Sequence, residues 1–345
     1  MVKRKIFSAL IILSLLACAA VASAQTARGT GTTRVANTPL SSLPASDMVM
    51  FVDVQRVIND VMPHALSSSP AKLAEANAEI DRLKTRTGID LRAFDQIAVG
   101  ARFIYPSAKM IKLKKVALAH GNFNASGVVA AGRLAASGQY REENYKGTNI
   151  SIFSLNEQMK WLGLLNMHVS EIAVAPLGAN LLAFGDLEVV RAAIDTSKGG
   201  VRVGNDLITL ATRNANAIMG FGANIPQRVS QNVNIDNEEV ARNISSIRQA
   251  FGSIGATANG FELNASARTE KPAQAKDLSD TIEGLRQLAP LLISAKLRGD
   301  EAKVAQKVLD NLKVTTQGNE LQIRMELAHT DIATLMNRFA PKSEE

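Results

Sequence analysis

Two stretches near the C-terminal end alternate apolar and polar residues without a break. Over 261–268, Phe261, Leu263, Ala265 and Ala267 alternate with Glu262, Asn264, Ser266 and Arg268. Over 320–327, Leu321, Ile323, Met325 and Leu327 alternate with Glu320, Gln322, Arg324 and Glu326. Successive side chains of a strand point to opposite faces. Such segments therefore belong to a sheet that buries one face and presents the other to water, the usual condition of an antiparallel sheet. The eight polar residues form a candidate binding face, with an ordinary solvated surface as the alternative.

The remaining periodicities fill in an α+β chain. Met48–Val54 reads as a buried strand, and Leu73, Ala76, Ile80 and Leu83 give a helical apolar stripe that ends near Gly88. Strand-like runs follow at 96–105, 116–121, 150–154, 172–175 and 180–185, with helices expected around 126–137 and 187–194. After Gly199-Gly200 and Gly204-Asn205 the order of elements begins again. Asn216–Phe221 echoes the first strand, and Val240, Ile244, Ile247 and Phe251 form a helical stripe. Hairpins are expected around Asn259-Gly260 and Gly318-Asn319, with helices marked by Leu278–Leu288 and Val304–Leu312 between them. The expectation is two related α+β halves, each a mainly antiparallel sheet with helices on one face, at 44–198 and 205–338 around a joint at 199–204, with a tail at 339–345.

The start of the chain bears on its compartment. Lys3, Arg4 and Lys5 precede an apolar run from Ile6 to Val21, and Ala22-Ser23-Ala24 presents small residues at the cleavage positions of a signal peptide. The run is short for a membrane span, which needs about 20 apolar residues. Residues 1–24 are therefore expected to be removed and 25–43 to form a flexible tether, leaving no transmembrane span in the mature chain. Leu15-Leu16-Ala17-Cys18 is a competing lipoprotein-type signal that would lipidate Cys18. Either signal takes the protein to the periplasm, the outer membrane or beyond.

Cys18 is the only cysteine, so a cleaved chain has neither disulfides nor thiolate chemistry and its fold rests on its core. An apolar content of 46% is ample for that. The densest basic cluster is Lys109, Lys112, Lys114 and Lys115, and aromatics make up only 4% of residues. That combination reads as a lysine-protected strand edge and argues against nucleic acid as partner.

No motif assembles a catalytic or cofactor site. His64, His120, His168 and His329 lack metal-ligand spacing, and neither a Walker loop nor a nucleophile elbow occurs. Ser69-Pro70-Ala71-Lys72 fits the S-x-x-K pattern, but no K-T-G follows, and Ser69 with Pro70 makes better sense as the start of a helix. No metal or cofactor is expected.

Met159, Trp161, Leu162, Leu164, Leu165 and Met167 form the most apolar segment outside the expected strands and include the sole tryptophan. They are either core, packed between strands near Ile152 and Ile172, or an exposed lip for a partner or membrane. The sequence of leader, tether, Pro44-Ala45-Ser46-Asp47 with its apolar strand, and Thr87-Gly88-Ile89-Asp90 before another strand resembles a class of exported bacterial proteins of unknown function. That resemblance implies no activity. The expectation is a non-enzymatic module that binds an envelope protein or component. One alternative is a carrier of a small apolar ligand between the halves, using Phe51, Phe103 and Phe184. Another is a hydrolase whose site forms only on folding.

Overall fold

A computed structural model of the chain describes residues 39–67, 69–87, 89–107, 110–161, 165–230, 238–257, 260–296 and 299–328. Within these ranges side chains are described except at 86–87, 155–170, 292, 295–296 and 300–301. The protein is α+β and divides into two compact units that meet between Ile208 and Thr209.

In the first unit, β1 (Met48–Asp53) runs into a helical stretch, α at Val54–Arg56, a π turn at Val57–Val61 and α again at Met62–Ala65. Helix α1 (Pro70–Thr87) follows, then β2 (Phe94–Ser107), β3 (Met110–Gly121) and α2 (Ala125–Ala135). Next come β4 (Tyr140–Tyr145), β5 (Thr148–Trp161), β6 (Leu165–Pro176), β7 (Leu181–Gly185) and α3 (Leu187–Ser197). The strands lie in the order β1-β2-β3-β7-β6-β5-β4, every neighbouring pair antiparallel.

Local chemistry sets the boundaries. Pro70 opens α1, where its missing N–H costs nothing. Asn124 caps α2 by accepting from the Gly127 amide at 3.1 Å. Lys146 and Gly147 both hold positive φ in the turn between β4 and β5, the geometry that a two-residue hairpin turn requires. The core gathers Leu43, Ile80, Leu118, Ile150, Ile152 and Ile194, none more than 1% exposed.

The second unit contains β8 (Ala217–Asn224), α5 (Glu238–Ser245), β9 (Ile247–Thr257), β10 (Gly260–Thr269), α6 (Pro272–Lys296), α7 (Asp300–Asp310), β11 (Lys313–Gln317) and β12 (Glu320–Ala328). The short helix α4 (Asn205–Ala211) precedes them and carries the boundary between the units. The sheet order is β8-β9-β10-β12-β11, again antiparallel. Helix α6 packs on β10, β11 and β12, and α7 on β12. Ile218, Phe251, Phe261, Ala275, Leu278 and Leu321 are buried.

One expectation is corrected here. The stripe Val240, Ile244, Ile247 and Phe251 is not one helix, because α5 stops at Ser245 and the last two residues lie on β9. Apolar residues three or four apart are compatible with a helix that changes into a strand, and Ser245-Ser246 marks the change.

The order of elements is the same in both units. Strand, helix, hairpin, helix, hairpin gives β1-β2-β3-β7-β6 in one and β8-β9-β10-β12-β11 in the other. The first unit adds β5 and β4 at its edge.

Candidate functional site

In the second unit the β9–β10 hairpin is flanked by other strands nearly to its tip, but two hairpins of the first unit are not. In the second unit β12 follows β10 to its very start, with Ala328 opposite Gly260. In the first, β1 leaves β2 at the Met48–Ala101 pair, and β7 leaves β3 at the Gly185–Val116 pair. Arg102–Ser107 and Met110–Lys115 continue beyond these points, paired only with each other among the described residues.

Two aspartates close the sheet where this arm departs. Asp47 donates its amide to the Ala101 carbonyl (2.9 Å) and accepts the Phe103 amide on Oδ2 (2.8 Å). On the other side Asp186 donates to the Lys115 carbonyl (2.9 Å) and accepts the Lys115 amide on Oδ2 (2.8 Å). Each carboxylate satisfies a backbone donor that a longer neighbouring strand would otherwise have bonded.

The register gives the arm two dissimilar faces. Phe103 lies opposite Leu113 on one, while Arg102 faces Lys114 and Ile104 faces Lys112 on the other. Large side chains remain in solvent: Tyr105 is 36% exposed, Met110 46% and Leu113 44%. Arg102 reaches Glu188 at 3.1 Å, and Lys114 lies 3.7 Å from Asp186, so the carboxylates that meet the arm's cations stand at its base.

A second arm leaves the same end of the sheet. Strands β2, β7 and β5 run one way and β3, β6 and β4 the other, so the β2–β3 and β5–β6 turns share an end. Beyond Ser154 and Glu171 the register of β5 and β6 shifts, and from Glu157–Val169 to Trp161–Leu165 they pair with no other strand among the described residues. This places the apolar segment. Met159 pairs with Met167 and Trp161 with Leu165, so the segment belongs to the strands rather than lying outside them. Its period-two alternation, Met159-Lys160-Trp161 and Leu165-Asn166-Met167-His168-Val169, was obscured by the apolar turn between. Leu162 and Leu164 lie outside the described residues, as do the side chains of the other four.

The polar sheet face of the second unit does come together. Glu262 pairs with Glu326, Asn264 with Arg324, Ser266 with Gln322 and Arg268 with Glu320. These groups largely satisfy one another. Arg324 reaches Glu262 (3.2 Å) and Glu326 (3.1 Å), and Asn264 donates to Glu262 (2.7 Å). Glu320, only 8% exposed, receives Arg213, Arg268 and Gln322. Both guanidinium groups also lie over the Phe251 ring, at 5.0 and 5.3 Å from its centroid. Burial pushes the Glu320 carboxyl up, but its bonds to Arg213, Gln322 and Arg268 outweigh this and hold it below its ordinary 4.5.

A carboxyl with a lowered value stabilises the fold fully above its unfolded value, and the effect fades as pH falls through the lowered one. Glu320→Gln is therefore expected to cost about 1–3 kcal/mol at neutral pH and progressively less in acid. Urea midpoints of both proteins, followed from neutral pH down through the carboxylate range, should converge. Curves that stay parallel would mean that Glu320 does not carry this stability.

The other candidates stay apart. Lys72 is exposed in the first turn of α1, after Ser69. His64 bonds the Asp60 carbonyl at 2.6 Å, and His120 lies between Asp95 (3.5 Å) and Asn180 (3.0 Å). No group of three potential metal ligands occurs among the described residues. Phe51, Phe103 and Phe184 all fall in the first unit, and they do not share a face. Phe51 lies opposite Ala98, whereas Phe103 and Phe184, the latter opposite Ala117, follow the other parity of β2 and β3. One pocket cannot take all three. The described residues also contain no helix long and apolar enough to cross a membrane.

No family model matches the chain, and neither does any curated protein. Among solved structures, crystal form III of TP0453, an uncharacterised bacterial (Treponema) protein, aligns over 88% of this chain and 100% of its own at 10% identity and a TM-score of 0.42. Crystal form I of the same protein gives 9% identity, coverage of 89% and 99%, and a TM-score of 0.41. The likeness is weak.

Proposed function

We propose that this is an exported protein of the periplasm or outer envelope that works by binding rather than by catalysis, through the end of the first unit where the two hairpin arms leave the sheet. The observation that carries the reading is the β2–β3 arm, which presents Tyr105, Met110 and Leu113 to solvent beyond the last strand that could support it. Exposed apolar side chains gathered at one tip are costly to keep in water unless something covers them in use. The leader ending at Ala24 supplies the route of export, and lipidation at Cys18 is the competing mode of attachment. The matching strand order of the units supports descent from one duplicated β-α-β-β-α-β-β unit, with β4–β5 added later. The apolar-carrier alternative loses its lining when the three phenylalanines divide between two faces.

A photoreactive phenylalanine analogue at position 105, expressed in the host, tests this reading. The same analogue at Glu75, exposed on α1, is the control. Position 105 should yield a discrete adduct, with protein or lipid, that position 75 does not. Equal labelling at both, or none at 105, removes the arm as the binding element. The same purified material should begin at Gln25 by intact mass, and a retained leader would overturn the export route.

A further inference from the structure

We propose that the β2–β3 arm docks the first unit onto a membrane surface rich in anionic lipid. The inference rests on the binding reading above and names the partner.

Charge is the first support. From Ala101 to Gly121 the chain carries Arg102, Lys109, Lys112, Lys114 and Lys115 and no acidic residue. Lys109 lies outside the described residues; Lys112 is exposed, and Lys114 and Lys115 are half-buried on β3. Among the described residues, Glu188 and Asp186 form ion pairs with Arg102 and Lys114, both near the base. The field toward the tip is therefore positive, and it complements a layer of phosphate headgroups.

Apolar placement is the second. Met110 is paired with Ser107 at the turn, Leu113 with Phe103 just behind it, and Tyr105 sits between them. Around the turn the exposed Met110, Tyr105 and Leu113 are interleaved with Lys112, the mixture of apolar, aromatic and cationic side chains that suits a bilayer interface. Met110 and Leu113 would reach the acyl boundary, while the long lysine stems let their ammonium groups and the tyrosine hydroxyl stay among the headgroups.

The arm's chemistry also speaks against a protein strand as occupant. Its β3 side carries Lys112, Lys114 and Lys115 and its β2 side carries Pro106, and both lysine and proline are means by which proteins prevent strand addition. The hairpin at the same place in the second unit is covered to its tip by β12, so the fold itself does not require an arm of this length.

The test is co-sedimentation of the protein, purified from its host's envelope fraction, with two vesicle types. One is phosphatidylcholine alone, the other phosphatidylcholine mixed with phosphatidylglycerol. Binding is expected to the mixed vesicles, to weaken with added salt, and to be weak on neutral ones. Lys112→Ala should lower partition about fivefold at low salt. Leu113→Asp should abolish partition, and Leu134→Asp, at an 82% exposed site on α2, should leave it unchanged. Both altered residues on the arm are exposed, so circular dichroism should match the parent protein. Equal binding to both vesicle types, or binding indifferent to Lys112→Ala and Leu113→Asp, overturns the proposal. Failure to bind vesicles while position 105 still crosslinks to a protein overturns the lipid assignment alone. Failure of both experiments removes the binding reading as well.

Discussion

Phe261→Ala is expected to cost about 3–5 kcal/mol, enough to threaten folding of a chain whose net stability is typically about 5–15 kcal/mol. Phe261 is 1% exposed at the start of β10, between Ala256 on β9 and Leu327 on β12, on the face that carries Leu263, Leu321 and Leu327. Helix α6 packs on this sheet, so removing the ring leaves a cavity between layers that a rigid three-strand register cannot close. Urea denaturation should show the midpoint falling with its slope unchanged. Leu113→Asp, on the exposed arm, should leave the stability within about 0.5 kcal/mol of the parent. A Phe261→Ala protein as stable as the parent would show that this core is looser than its burial implies.

Gly185→Ala should be comparably damaging for a different reason. Gly185 ends β7 with φ at 153°, a region almost closed to residues with a side chain, and that conformation alone costs about 1–3 kcal/mol. A methyl group there would stand 2.4 Å from the Lys115 carbonyl and 2.8 Å from the Val116 Cα, both backbone. Backbone must shift, and the shift falls at the junction where Asp186 caps the arm. A lowered melting temperature is expected together with faster hydrogen exchange at the Lys115 amide. Loss of stability without faster exchange at that amide would separate the strain from the cap.

The sequence was most readable where strands have two neighbours. Alternation over 261–268 and 320–327 placed both strands, their facing register and the polar face, because a single buried side imposes a strict period of two. The hairpin at Gly318, with φ at 58°, was legible from its turn residues. The β4–β5 turn was not, since Lys146-Gly147 takes positive φ at both residues without the Asn-Gly signal that usually marks such a turn. Strand ends were misjudged in one direction. The apolar runs suggested strands ending at 105 and 154 and beginning at 116 and 172, whereas β2 and β3 meet at 107 and 110, and β5 and β6 extend to 161 and from 165. The overlooked residues are the arms. Outside the sheet no core demands continuous hydrophobicity, so Lys112, Lys114 and Lys160 interrupt the pattern that marks a buried strand. Nor could spacing reveal the two capping aspartates, whose partners lie 56 and 71 residues away in sequence.

Those two aspartates leave the arm's length independent of everything beneath it. Because Asp47 and Asp186 finish the ladder on both sides, residues added or removed in pairs beyond Phe103 and Lys115 change no contact within the sheet and keep each side chain on its face. Reach is then a quantity that insertion and deletion can adjust without disturbing the foundation, in the way a pier is lengthened without moving the shore.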